Sequence, residues 1–180
     1  MKRKTILVIG LIILFLVLCL GLYLAKTSTS NISKAPKDVV YSIGGESVIF
    51  TNGASEITFP DFPSKIITQY FGNDVVGDFD GDGTMDKAFI VTQNSGGSGT
   101  FFYVTALLNT KNGGVGVEGI LLGDRISPQS MNLDNDNTIV VNYADRGLDE
   151  SFATTPSIAK TIKLYIDKKT LKFVNIKPLI

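Results

Sequence analysis

From Val39 onward the apolar positions recur with the two-residue period of a strand, and few stretches carry a helical period. Thr161–Ile166 alternates cleanly, with Ile162, Leu164 and Ile166 on one face and Lys163 on the other. Beyond a turn around Asp167–Lys169, Leu171 and Phe173 repeat the pattern within Thr170–Val174. Thr100–Asn109 is apolar on both sides: Phe102, Val104, Ala106 and Leu108 on one, Phe101, Tyr103 and Leu107 on the other. A strand of that kind is expected at the centre of a sheet covered on both faces. Ser47–Thr51 and Ser55–Phe59 flank Asn52-Gly53, a strong hairpin signal. Lys65–Phe71 favours a strand, with Ser64 as an N-cap leaving a short helix open. Lys87–Gln93 follows, then Val115–Leu122 after the turn Asn112-Gly113, and Thr138–Tyr143 after the polar turn Asp134–Asn137. The expectation is an all-β domain of about nine short strands, arranged as an antiparallel β-sandwich or a strongly curved sheet.

The first residues break this pattern. Ile6 to Ala25 is a twenty-residue uncharged run, interrupted only by Gly10, Cys19, Gly21 and Tyr23. At about 1.5 Å per residue a helix of that length crosses the ~30 Å hydrocarbon core of a bilayer. Lys2, Arg3 and Lys4 precede it, which places the N-terminus in the cytoplasm and the rest of the chain outside. The run exceeds a signal-peptide core and no clear A-x-A site follows, so an uncleaved anchor over residues 1–26 is favoured. Secretion after cleavage near Ala25–Ser30, or a lipoprotein at Cys19, are the alternatives. Residues 27–38 are rich in Ser, Thr and Lys and read as a flexible tether to a domain over 39–180.

Charge narrows the function. The 17 basic and 17 acidic residues cancel over the whole chain, but Lys2, Arg3, Lys4 and Lys26 flank the apolar run. The remainder is net acidic and holds no basic patch, which argues against nucleic acid. There is no His, and the single Cys lies inside the apolar run. Ser-His-Asp, Cys-His and His-ligated zinc chemistry are therefore excluded, and the exterior domain has no disulfide. No spacing suggests a carboxylate pair or a Ser-Lys pair at work, so no catalytic residue is assigned.

The acidic excess gathers at Asp78-Phe79-Asp80-Gly81-Asp82-Gly83-Thr84-Met85-Asp86. Calcium takes six to eight oxygens at about 2.3–2.6 Å. Asp78, Asp80, Asp82 and Asp86 would supply carboxylates and Thr84 its backbone carbonyl. Gly83 sits where the loop must turn sharply with positive φ. An EF-hand needs a bidentate Glu at its twelfth position and flanking helices. Here that position is Phe89, and the flanks Val75-Val76 and Ala88–Val91 read as strands.

This strand–loop–strand Asp box resembles the calcium loops of FG-GAP and VCBS-type repeats, as in integrin α-subunit propellers. The likeness covers Gly77 to Val91. It implies calcium on Asp78, Asp80, Asp82, Thr84 and Asp86. It does not imply a propeller, because the loop occurs once and the chain has no internal repeat. A wider string also resembles small exported bacterial proteins of unassigned function: Gly77–Gly83, Gly96–Tyr103, Leu122–Ile126 and Val141–Arg146.

Three other features are weighed. Asn94–Gly99 lacks the Gly-Lys-Ser/Thr ending of a phosphate loop and is expected to be a hairpin loop. Asp124-Arg125 and Asp145-Arg146 are read as ion pairs closing loops rather than as a binding patch. Asp134–Asn137 is read as a plain turn. The functional expectation is a membrane-anchored, extracytoplasmic calcium-binding module of the bacterial envelope. It would hold the bilayer through residues 6–25 and present its domain to an envelope protein or polysaccharide. The alternative is an inhibitor or accessory domain of an extracellular hydrolase, with a carboxylate-based hydrolase less favoured.

Overall fold

The structure, a computed structural model, describes residues 39–134 and 136–176. The expected anchor at Ile6–Ala25, the tether at 27–38 and Cys19 lie outside the described residues. Among the described residues no helix is long and apolar enough to cross a membrane.

The described chain is all-β. Its strands are β1 (Val40–Ile43), β2 (Glu46–Ile49), β3 (Ala54–Phe59), β4 (Phe62–Gly77), β5 (Asp86–Asn94), β6 (Phe101–Thr110), β7 (Gly113–Gly116), β8 (Ile120–Asp124), β9 (Ser127–Leu133), β10 (Ile139–Asp145), β11 (Ile158–Asp167) and β12 (Lys172–Asn175). They pair antiparallel throughout: a curled sheet in the order β3-β4-β5-β6-β7 with β8 also on β6, a second sheet β12-β11-β10-β9, and the ribbon β1-β2.

The larger core lies between the two main sheets. Ile90 of β5 and Phe102, Val104, Ala106 and Leu108 of β6 meet Met131, Ile139, Val141, Leu164 and Ile166 of the second sheet. The other face of β5 and β6 carries a smaller aromatic core, in which Phe89 and Tyr103 pack with Tyr41, Val48 and Phe50 of the β1–β2 region. Strand β6 is thus central and covered on both faces, as its two apolar stripes require. The inward set Ile162, Leu164, Ile166, Leu171 and Phe173 is also found in or against the larger core.

Among the described residues twelve strands replace the expected nine or so, for three physical reasons. The turn at Asn52-Gly53 forms, with both residues at positive φ, but pairing across it stops at the single Thr51–Ala54 bridge. Strand β2 pairs instead with β1 through a second tight turn at Gly44-Gly45, whose φ values of 60° and 87° suit glycine. Next, the expected strand Val115–Leu122 is two strands, β7 and β8, on the same side of β6. Between them the chain turns aside, and the Gly119 N–H donates to the Ser42 carbonyl at 2.8 Å. Finally β9 pairs with β10 although Met131 is its one buried side chain. Lys65–Phe71 is strand, within the 16-residue β4.

The break in β7–β8 lets β1 approach closely. A Cβ on Gly116 would stand 2.3 Å from the Val40 carbonyl oxygen, which is backbone and cannot swing away. Gly116→Ala is expected to destabilise the fold by about 1–3 kcal/mol, the usual cost of overpacking. Gly97→Ala, where nothing lies within 4 Å, is expected to be near neutral. Paired urea denaturation curves check the contrast.

Candidate metal centre

The Asp box is the connection from β4 to β5, so the expected strand–loop–strand context holds: Gly77 ends one strand and Asp86 opens the next. Gly81 and Gly83 have φ of 76° and 88°, the turning geometry that the loop demands of glycine. Asp78 folds the loop onto itself, accepting from the Gly81 N–H at 2.7 Å and the Gly83 N–H at 3.1 Å. Asp80 accepts from the Asp82 N–H at 3.1 Å.

Asp86 is the anchor of the loop. It is fully buried, and its two oxygens accept the Phe79 N–H and the Asn109 N–H, each at 2.8 Å. Burial raises its pKa above the ordinary carboxylate value. The Asn109 and Phe79 N–H groups oppose that shift, and the charge on Asp80 adds to it. A cation beside Asp86 would favour its ionised form and oppose that shift.

The fold brings three of the four predicted carboxylates together. Asp78, Asp80 and Asp86 each offer an oxygen within 4.8 Å of the others, a cluster that could hold a metal ion. An all-oxygen donor set suits a hard cation. Asp82 is turned elsewhere: its Oδ1 accepts both the Thr84 N–H at 2.7 Å and the Thr84 hydroxyl. The hydroxyl bond is the main cause of its lowered pKa. The Thr84 hydroxyl also reaches the Asn109 carbonyl.

Residues remote in sequence complete the surroundings. Asn109, near the end of β6, accepts from Thr84, donates its own N–H to Asp86, and donates its amide to the Met85 carbonyl at 2.5 Å. Asn137, from the β9–β10 turn, donates to the Asp78 carbonyl. The Lys168 ammonium, from the β11–β12 turn, lies against Gly81, 2.3 Å from where a Cβ would be. The loop therefore ties the curled sheet to two turns of the second sheet. Sequence reading missed Asn109 and Asn137, whose spacing to the loop carries no local signal.

It also missed a buried cation next door. Lys87 is fully buried on β5, with its ammonium 2.6 Å from Asp74 and 3.1 Å from the Tyr70 hydroxyl. The Tyr70 ring lies 5.0 Å below the ammonium. Bulges in β4 at Gly72 and Asn73, both at positive φ, carry the chain from Tyr70 to Asp74. Burial and the bond to Asp74 push the Tyr70 phenol well above its usual pKa, so it stays protonated and donates to Asp74.

The other features are structural. Asn94–Gly99 joins β5 to β6 at the end of β5 remote from Asp86, and the Asn94 side chain bridges it by donating to the Gly97 and Gly99 carbonyls. Arg125 makes a two-pronged contact with Asp124 at 3.1 and 2.7 Å. Asp145 pairs with Lys160 at 2.7 Å, while Arg146 donates to the Arg125 and Thr154 carbonyls. Asp134 Oδ1 accepts the Asp136 and Thr138 N–H groups, closing a turn.

No protein-family model matches the chain, and comparison with curated proteins and with solved structures gives no significant match.

Proposed function

We propose that this is an extracytoplasmic calcium-binding β-domain, held at the bacterial envelope by the apolar run Ile6–Ala25, in which calcium serves the structure rather than catalysis. The observation that carries this reading is the convergence of Asp78, Asp80 and Asp86 on one point of the β4–β5 loop. Three oxygens leave room for the further ligands calcium takes, from water, loop carbonyls, or Asp82 after rotation away from Thr84. The ion would stiffen a corner that already gathers Asn109 and Asn137, and so would secure the junction of the two sheets. The anchor would display the domain to an envelope protein or polysaccharide.

Binding to the folded state alone stabilises it by about 2.7 kcal/mol at a hundredfold excess over Kd. For a chain of this size that is a rise in Tm of roughly 5–10 °C. The full chain in detergent is expected to show this rise in calcium relative to chelator, and Asp80→Ala is expected to abolish it. Identical melting curves with and without calcium would overturn the proposal.

A further inference from the structure

We propose that strand β3 is a self-association edge, pairing antiparallel with β3 of a second copy across a two-fold axis at Ile57. Three other sheet edges are protected. Among the described residues, β12 is four residues long and carries Lys172. Strand β9 contains Pro128 and lies beside β4. Strand β7 is short and glycine-rich, and β1 packs against Gly116. Short strands, lysine, proline and covering segments are the devices that keep edges from pairing. Strand β3 is the least protected: six residues, no Pro, no Lys, with Thr51 bridging only Ala54 and a register shift only at Thr58/Phe59, so Ser55–Thr58 present a free edge beside β4.

The β3–β4 ribbon also outruns its sheet. Strand β5 ends opposite Ile67, so β4 from Phe62 to Ile66 pairs with β3 alone. Within the ribbon Ile57 faces Ile66, Thr58 faces Lys65, and Glu56 faces Ile67. An isologous contact must be complementary to itself. A two-fold axis normal to the sheet keeps side chains of one face together, so residues of equal parity oppose each other. Centring it on Ile57 gives a row Ile66, Ile57, the partner's Ile57, the partner's Ile66. Four apolar side chains, each partly buried in one copy, then line up across the junction. The adjacent rows set Glu56 opposite the partner's Thr58, whose ladder neighbour is the partner's Lys65. The strand's only charge thereby meets no like charge, and it already pairs with its own Lys65 at 3.0 Å. Shifting the axis by one residue to Glu56 would set Glu56 against the partner's Glu56, which is unfavourable, and shifting it to Thr58 would centre it on the register shift at Thr58/Phe59.

The test uses the full chain carrying Cys19→Ser, so that an introduced thiol has no competitor. Residues directly opposite across an antiparallel pair lie about 4.5–5.5 Å apart at Cα, within disulfide range. Ile57→Cys is expected to form a disulfide-linked dimer under mild oxidation at least tenfold faster than Glu56→Cys, which is offset from its own copy. In sedimentation of the full chain in detergent, Ile57→Lys is expected to shift a dimer to monomer with an unchanged melting curve. A monomeric parent chain, equal cross-linking at the two positions, or a dimer that survives Ile57→Lys would each overturn the proposal.

Discussion

Asp86→Ala is expected to destabilise the metal-free domain by about 3–5 kcal/mol, whereas Asp80→Ala costs it less than about 1 kcal/mol. The difference follows from what each carboxylate does without a cation. Asp86 is buried and satisfies two backbone N–H groups, one within the loop and one on β6. Truncation leaves both donors without an acceptor, and an unsatisfied buried donor costs about 1–3 kcal/mol. A small void adds to that. Asp80 is only partly buried and accepts one loop N–H, which water can serve. Both variants are expected to lose the response to calcium. Chemical denaturation in chelator separates the two roles, since only Asp86→Ala should move the midpoint substantially. Equal midpoints would mean that Asp86 does not lock the loop to β6.

Asp74→Ala is expected to cost about 2–4 kcal/mol, and Lys87→Met in the same chain is expected to return most of that loss. Lys87 is fully buried with its ammonium 2.6 Å from Asp74, which is itself about a quarter exposed. Removing the carboxylate of such a pair strips a buried charge of a close counter-charge, a loss of roughly 3–5 kcal/mol in fully buried cases. The partial exposure of Asp74 reduces that figure. Methionine fills a similar volume without a charge, so the double variant buries no charge and leaves only the partly buried Tyr70 hydroxyl to find new partners. Melting of the parent, both single variants and the double variant closes a thermodynamic cycle. A double variant as unstable as the sum of the singles would show that the ammonium packs as an apolar stem and that its charge is immaterial.

The legible parts of this fold are those written locally. Both faces of β6 could be read from the chain because alternate residues from Phe101 to Leu108 are apolar in two independent sets. Turns were legible as well, since Asn52-Gly53 and the glycines of the Asp box sit where positive φ is required. How far pairing extends past a turn was not. Strand β2 leaves β3 after one bridge because its apolar residues Val48 and nearby Phe50 are drawn into the aromatic core beside Phe89, a tertiary preference that no turn signal contains. Strand β9 escaped notice because an edge strand with one buried side chain has almost no hydrophobic period.

The candidate site divides in the same way. Asp78, Asp80 and Asp86 are recognisable by spacing because one loop supplies all three. Asn109 and Asn137 come from 25 and 59 residues away and become neighbours only when the sheets close. Nothing local to Lys87, at the start of Lys87–Gln93, marks it as buried. Two bulges in β4 turn that position into a buried ion pair by bringing Asp74 over it.

The most direct test is a calorimetric titration of the full chain with calcium, with Asp80→Ala and magnesium as controls. The account predicts saturable binding at one site per chain, lost in Asp80→Ala and much weaker with magnesium, whose smaller shell demands near-octahedral geometry. No heat of binding at millimolar calcium, or binding that survives Asp80→Ala, would contradict it.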